Sequence, residues 1–168
     1  RSASRPPRRS ATTGSTTIAD LLPRAADELE IPFVASGGMA DGRSLVAALS
    51  LGADGMNMGT RFIATKEAPV HENVKKALVA ASELDTRLVM RALRNTERVL
   101  KNKAVDRLIE IEREKGASLK ISDIHEEVAG VYPKVMIDGE MDAGAWSCGM
   151  MVGLIRDVPT VKELIDRI

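Results

Sequence analysis

Residues 18–59 alternate helix-like and strand-like patterns joined by short connections. "IADLLPRAADELE" (18–30) brings Leu21, Leu22, Ala25, Ala26 and Leu29 near one face of a helix. Proline is tolerated best in the first turn of a helix, so Pro23 predicts a start near Leu22. "IPFVAS" (31–36) is nearly continuously apolar rather than alternating, the pattern of a parallel strand covered on both faces. Asp41 is placed to cap the helix in "GRSLVAALSLG" and Gly52 to end it. "ADGMNMG" (53–59) reads as a second strand ending at Gly59. The order α, β, α, β is that of a parallel α/β sheet.

Both strands leave through glycine. Gly37 and Gly38 follow the first, Gly59 and Thr60 the second. One reading is a pair of plain tight connections. The other is a phosphate cradle: ligands of parallel α/β folds sit beyond the carboxyl ends of the strands. Glycine lets main-chain amides approach an anion with no Cβ in the way. Ser36 and Thr60 each add a hydroxyl, and no lysine is required.

Composition excludes several alternatives. Lys+Arg and Asp+Glu number 24 each, so bulk charge gives no support for nucleic acid or an acidic membrane as partner. Aromatic residues make up only 2 %, which argues against a base-stacking platform and leaves the core to Ala, Leu, Val, Ile and eight Met. The one cysteine, Cys148, cannot form an intrachain disulfide, and a reducing cytoplasm is the simplest location. It stands among small and apolar residues, which reads as a buried small hydrophobe rather than a nucleophile. No apolar run is long enough to span a membrane. Residues 1–17 carry four Arg and no acid, a composition that predicts disorder or, less readily, a targeting segment.

Beyond residue 66 the pattern turns mostly helical, giving three parts: 1–17, 18–66 and 67–168. "NTERVLKNKAVDRLIEIEREKG" predicts a long helix capped by Asn95 or Thr96 and stopped at Gly116. Arg91, Arg94 and Arg98 would then share a helical face, a solvated or salt-bridged surface, and Glu110, Glu112, Arg113, Glu114 and Lys115 an exposed end. "SDIHEEVAGVY" predicts a shorter helix. "GAWSCGMMVGLIRD" predicts another, with Ala145, Ser147, Gly149 and Gly153 permitting close packing. Pro159 and a Thr160–Glu163 capping box open the last.

Residues 31–75 resemble the FMN phosphate-binding half of the nitronate monooxygenase (2-nitropropane dioxygenase) family, and Met90–Asn95 and residues 138–165 resemble its later segments. The resemblance implies an α/β fold, the C-terminal part of an FMN-binding TIM (β/α)8 barrel with an appended helical region. It implies FMN as cofactor, alkyl nitronates and molecular oxygen as small-molecule substrates, and cofactor contacts from Ser36, Gly37, Gly38 and Met39 in one loop and Met58, Gly59 and Thr60 in the other. Met150 departs from the family, where many relatives carry Gln. The family's general-base His belongs to a Gly-His motif upstream; His71 and His125 do not match it and read as ordinary surface or packing histidines. The expectation is therefore an incomplete barrel, with no catalytic residue in this chain and little activity alone. Pro6-Pro7-Arg8-Arg9 is what a family-type Gly-His-Pro-Gly-Glu gives when read out of frame, so the start is also a candidate reading-frame scar. The alternatives are an NAD(P)H-dependent flavin reductase of the same fold, acting on enoyl-acyl-carrier or quinone substrates, and a non-catalytic fragment.

Overall fold

A computed structural model describes residues 17–168; the basic start read as disordered falls, up to residue 16, outside the described residues. The first helix, α1 (Ile18–Glu28), begins one turn earlier than Pro23 suggested. The Asp20 carboxylate accepts from both the amide and the hydroxyl of Thr17, 3.2 and 2.9 Å away. That cap sets the start, and Pro23 lies inside the helix with no N–H to give.

Two short strands follow, β1 (Val34–Ser36) and β2 (Gly55–Asn57), joined by α2 (Gly42–Ser50). They pair in parallel, Val34 with Gly55, Ala35 with Met56 and Ser36 with Asn57. Asp41 caps α2 as expected, accepting from the amides of Arg43 and Ser44. Gly52 ends it at φ +94, and a Cβ there would fall 2.5 Å from that of Ala26. The end of α2 thus lies directly on α1. Leu22, Ala35, Met39, Ala48 and Ala53 form the small core of this layer.

Cover on both faces of β1, expected from its apolar run, is not found. Ile31 and Val34 are 69 % and 59 % exposed, and only Ala35 of the strand is buried. A two-stranded sheet with helices on one side leaves the other face of β1 without a packing partner among the described residues.

After β2 come α3 (Thr60–Ile63) and α4 (Glu72–Ala80). The long helix expected from Asn95 is replaced by an antiparallel hairpin, β3 (Thr86–Val89) and β4 (Glu97–Leu100), followed by α5 (Lys103–Lys115). Non-local pairing overrides the local helical pattern here: Val99 bonds across to β3 and forms a further bridge with Ser147. Asn102, not Asn95 or Thr96, caps α5, and Gly116 stops it as expected. The three arginines share no helical face. Arg91 and Arg94 lie in the hairpin turn, and Arg98 on β4 donates to the Thr86 hydroxyl at 2.9 Å. Glu112 is half-buried rather than exposed; burial raises its pKa although the amides of Met90 and Arg91 donate to it.

The segment "SDIHEEVAGVY" forms a 3-10 turn, the short α6 (His125–Ala129) and then a π turn over Val131–Ile137. "GAWSCGMMVGLIRD" is not an α-helix: Ser147 bridges β4, and only Met150–Leu154 coil, as a 3-10 turn. Its small residues do pack closely. A Cβ on Gly153 would lie 2.8 Å from the Glu83 amide nitrogen. The last helix, α7 (Val161–Asp166), carries the expected Thr160–Glu163 capping box.

Two further cores serve this region. One gathers Val74, Leu78, Trp146, Val152 and Ile155; the other gathers Val89, Val99, Val105, Leu108 and Ile124. Aliphatic side chains dominate, as composition required, yet the largest fully buried one is Trp146.

Asn102 ties these parts together. Its Oδ1 accepts from Val105, and its Nδ2 donates to the carbonyls of Met141 and Gly144, both at 2.8 Å. Replacing Asn102 by Ala removes the cap and leaves two part-buried carbonyls short of a donor. Equilibrium urea unfolding of Asn102→Ala should show a loss of about 2 kcal/mol.

Candidate functional site

Parallel pairing brings the glycine exits together. Ser36 and Asn57 are register partners at the carboxyl ends of β1 and β2, so Gly37–Met39 and Met58–Thr60 emerge at the same end of the sheet. Gly37 and Gly38 both have positive φ, +91 and +76, which only glycine adopts without strain. Cβ atoms built on Gly37, Gly38 and Gly59 would meet nothing within 4 Å. These three positions border open space that a side chain would otherwise enter, as a main-chain anion cradle needs.

The hydroxyls are set as donors. Ser36 Oγ accepts from Asn57 Nδ2 at 3.2 Å, and Thr60 Oγ1 accepts from the Gly149 amide at 3.0 Å. With an oxygen lone pair used by each protein donor, each hydroxyl keeps its own proton to give. Asn57 and Gly149 were not singled out for these roles from the sequence. The signal for Asn57 was a lone polar residue inside the apolar "GMNMG"; a contact between residues 60 and 149 leaves no local signal.

The start of α2 contributes less than a free helix terminus would. Asp41 already occupies the amides of Arg43 and Ser44, and the Arg43 guanidinium bonded to it holds its carboxyl below the usual range. The donors left for an anion are those of the loop itself. Met39 is buried at 6 % exposure, within the core of this layer. An apolar cleft of about 400 Å³ opens beside the second exit, lined by Met58, Gly59, Phe62 and Val70 among others. None of the first loop lines it.

The other candidates stand apart. His71 caps α4, its Nδ1 accepting from the Asn73 amide at 3.1 Å, and His125 opens α6 in solvent. Met150 is half exposed just beyond Gly149. Among the described residues no three His, Cys, Asp or Glu side chains cluster as metal ligands, and no helix is long and apolar enough to cross a membrane.

Adjacent parallel β/α units followed by a helix-rich region make this chain the C-terminal part of a flavoenzyme (β/α)8 barrel, incomplete here, with an appended helical region. The fold matches the structure of FabK from Thermotoga maritima with a TM-score of 0.83 at 33 % identity, over 92 % of this chain and 48 % of that one. It matches nitroalkane oxidase from Streptomyces ansochromogenes with a TM-score of 0.67 at 26 % identity, over 89 % and 41 %. The chain belongs to the nitronate monooxygenase family, which matches residues 5–168. It is 32 % identical, over an alignment 190 positions long, to (3aS,4S,5R,7aS)-5-hydroxy-7a-methyl-1-oxo-octahydro-1H-indene-4-carboxyl-CoA dehydrogenase of Rhodococcus jostii (strain RHA1), covering 93 % of this chain and 54 % of that protein. It is 44 % identical over 68 residues to a probable nitronate monooxygenase of Bacillus subtilis (strain 168), covering 40 % and 20 %. The chain thus spans about half the length of the relatives it matches end to end. Members of the family are flavin oxidoreductases.

Cys148 lies next to Gly149 and is buried. It is 2 % exposed, and burial pushes its thiol up to about 12. At pH 8 the folded protein should therefore consume no Ellman's reagent, and the denatured protein one equivalent; rapid labelling of the native thiol would contradict this burial.

Proposed function

We propose that this chain supplies the FMN phosphate-binding part of an enzyme that oxidises alkyl nitronates with molecular oxygen. The observation that carries the reading is the pair of glycine exits at one end of two adjacent parallel strands, each bordering open space. Gly37, Gly38, Met39, Met58 and Gly59 would face the phosphate with main-chain amides, and Ser36 and Thr60 with hydroxyl protons. The flavin supplies the redox chemistry. The role of this chain is to bind and orient it. The base acting on the nitroalkane comes from elsewhere in the assembled enzyme, because His71 serves as a helix cap and His125 lies in solvent. In this reading the chain on its own is inactive, residues 18–66 form the cofactor unit and residues 67–168 the helical cover.

A second reading has its own support. The relatives aligned over 93 % of the chain are named carboxyl-CoA dehydrogenases, and FabK shares the fold at higher similarity than nitroalkane oxidase does. A flavin reductase or dehydrogenase acting on a thioester substrate, with a nicotinamide cofactor as electron partner, uses the same cradle.

The full-length protein separates the two. Propyl-nitronate-dependent oxygen uptake without NAD(P)H supports the first, and NAD(P)H consumption with an enoyl thioester and no nitronate turnover supports the second. Under either, Gly37→Val, strained at φ +91 and reaching into the cradle, should weaken FMN binding by at least about tenfold while far-ultraviolet circular dichroism is kept. Unchanged FMN affinity would remove the cradle from consideration.

A further inference from the structure

Resting on the flavin-phosphate reading, the structure assigns Arg61 a positioning role: we infer that it fastens the second phosphate loop to a C-terminal strap, Asp157–Ile168, which holds both loops in register. Arg61 follows Thr60 directly and is 5 % exposed, unusual for an arginine. Its guanidinium does not face the glycine exits. It donates through Nη2 to Asp157 Oδ1 at 2.9 Å and through Nη1 to the Asp157 carbonyl at 3.2 Å. The second oxygen of the same carboxylate accepts from Arg167 at the far end of the strap. Asp157 is thus shared by two guanidinium groups, which hold its carboxyl below the usual range, Arg167 first.

Three further contacts extend the strap. The Lys66 amide donates to the Pro159 carbonyl at 2.9 Å. The Val161 amide donates to both oxygens of Glu67, at 3.0 and 2.9 Å. At its end, the Ile168 carbonyl oxygen would lie 2.6 Å from a Cβ on Gly42, the first residue of α2. One segment therefore grips the chain just after the second glycine exit and abuts the chain just after the first. Neither loop is long enough to hold its own geometry, and the sheet beneath them is two strands wide. A cradle made of main-chain amides works only if the amides converge, and the strap fixes how far apart the two sets stand.

This gives Arg61 a signature that general stabilisation does not share. Misplaced amides weaken binding of the phosphate and leave the ring contacts, so FMN and riboflavin affinities separate. The experiment measures Kd for FMN and for riboflavin by flavin fluorescence quenching, on the full-length apoprotein and its Arg61→Met, Arg61→Lys and Asp157→Ala variants. Asp157 is about half exposed, so its variant tests the same contact where Arg61→Met fails to fold. Wild type should prefer FMN strongly. Arg61→Met and Asp157→Ala should lose about tenfold in FMN affinity with riboflavin affinity within about twofold, and Arg61→Lys should recover part of the loss. Gly42→Ala, which pushes on Ile168 from the opposite side, should shift the same ratio in the same direction. A wild type that binds both flavins equally overturns the phosphate reading itself. A wild type that prefers FMN, with variants that keep the full preference or lose both flavins in parallel, overturns only the role of Arg61.

Discussion

The parallel pairing of Ser36 with Asn57 decides what this end of the molecule can do. Antiparallel strands would send their exits to opposite ends, and two glycine loops would then be two unrelated turns. Parallel strands joined by one helix send both to the same end, so donors twenty residues apart become neighbours. The Asn57 side chain reinforces the arrangement by reaching across to the Ser36 hydroxyl. That bond holds the strand ends level and consumes a lone pair on the hydroxyl oxygen, leaving its proton outward. The Gly149 amide treats Thr60 in the same manner from the helical region. The appended residues therefore do more than cover the sheet: one of them sets the polarity of a candidate ligand contact.

The start of α2 and the loop before it differ in the main-chain donors they leave free. A helix beginning after a glycine loop invites the assumption that its terminus holds the anion. Here Asp41 already satisfies those amides and brings a negative charge of its own, partly offset by Arg43. A dianion beside the exits would face that carboxylate unless the loop amides held it farther out. The positive φ values at Gly37 and Gly38 turn the chain before the helix begins.

Legibility in the sequence followed the range of the interactions. The α, β, α, β order, the Asp41 cap, the Gly52 and Gly116 stops and the Thr160–Glu163 box all depend on residues within a few positions of each other, and all are present. Strand β4 falls in "NTERVL", which carries no strand alternation and extends the helical pattern of α5; its strand state comes from pairing with Thr86–Val89 and from the bridge to Ser147, some fifty residues on. The same reason hid the Thr60–Gly149 and Arg61–Asp157 contacts, whose partners are about ninety residues apart. The small apolar neighbours correctly placed Cys148 in the interior, where burial raises its thiol despite the nearby Arg98 charge. Composition gave no hint that Pro23 sits inside α1, where the Thr17–Asp20 cap outweighs the missing amide.

The two sides of the sheet have different needs. On the outer side, α1, α2 and the C-terminal strap meet in close contacts that leave no room for a Cβ at Gly42 or Gly52. On the other, Ile31 and Val34 are well over half exposed, and on the outer side Val46 and Leu49 of α2 are also left uncovered. Burying a side chain of this kind is worth about 1.5–3 kcal/mol, so such a surface favours further β/α layers over solvent. A barrel of this class closes by pairing its outermost strands, and both outer edges of the β1–β2 pair are unpaired among the described residues. Loop geometry and sheet closure are therefore separable properties. The strap can preset the amides in this chain, whereas the cavity for a flavin ring requires the strands that complete the barrel.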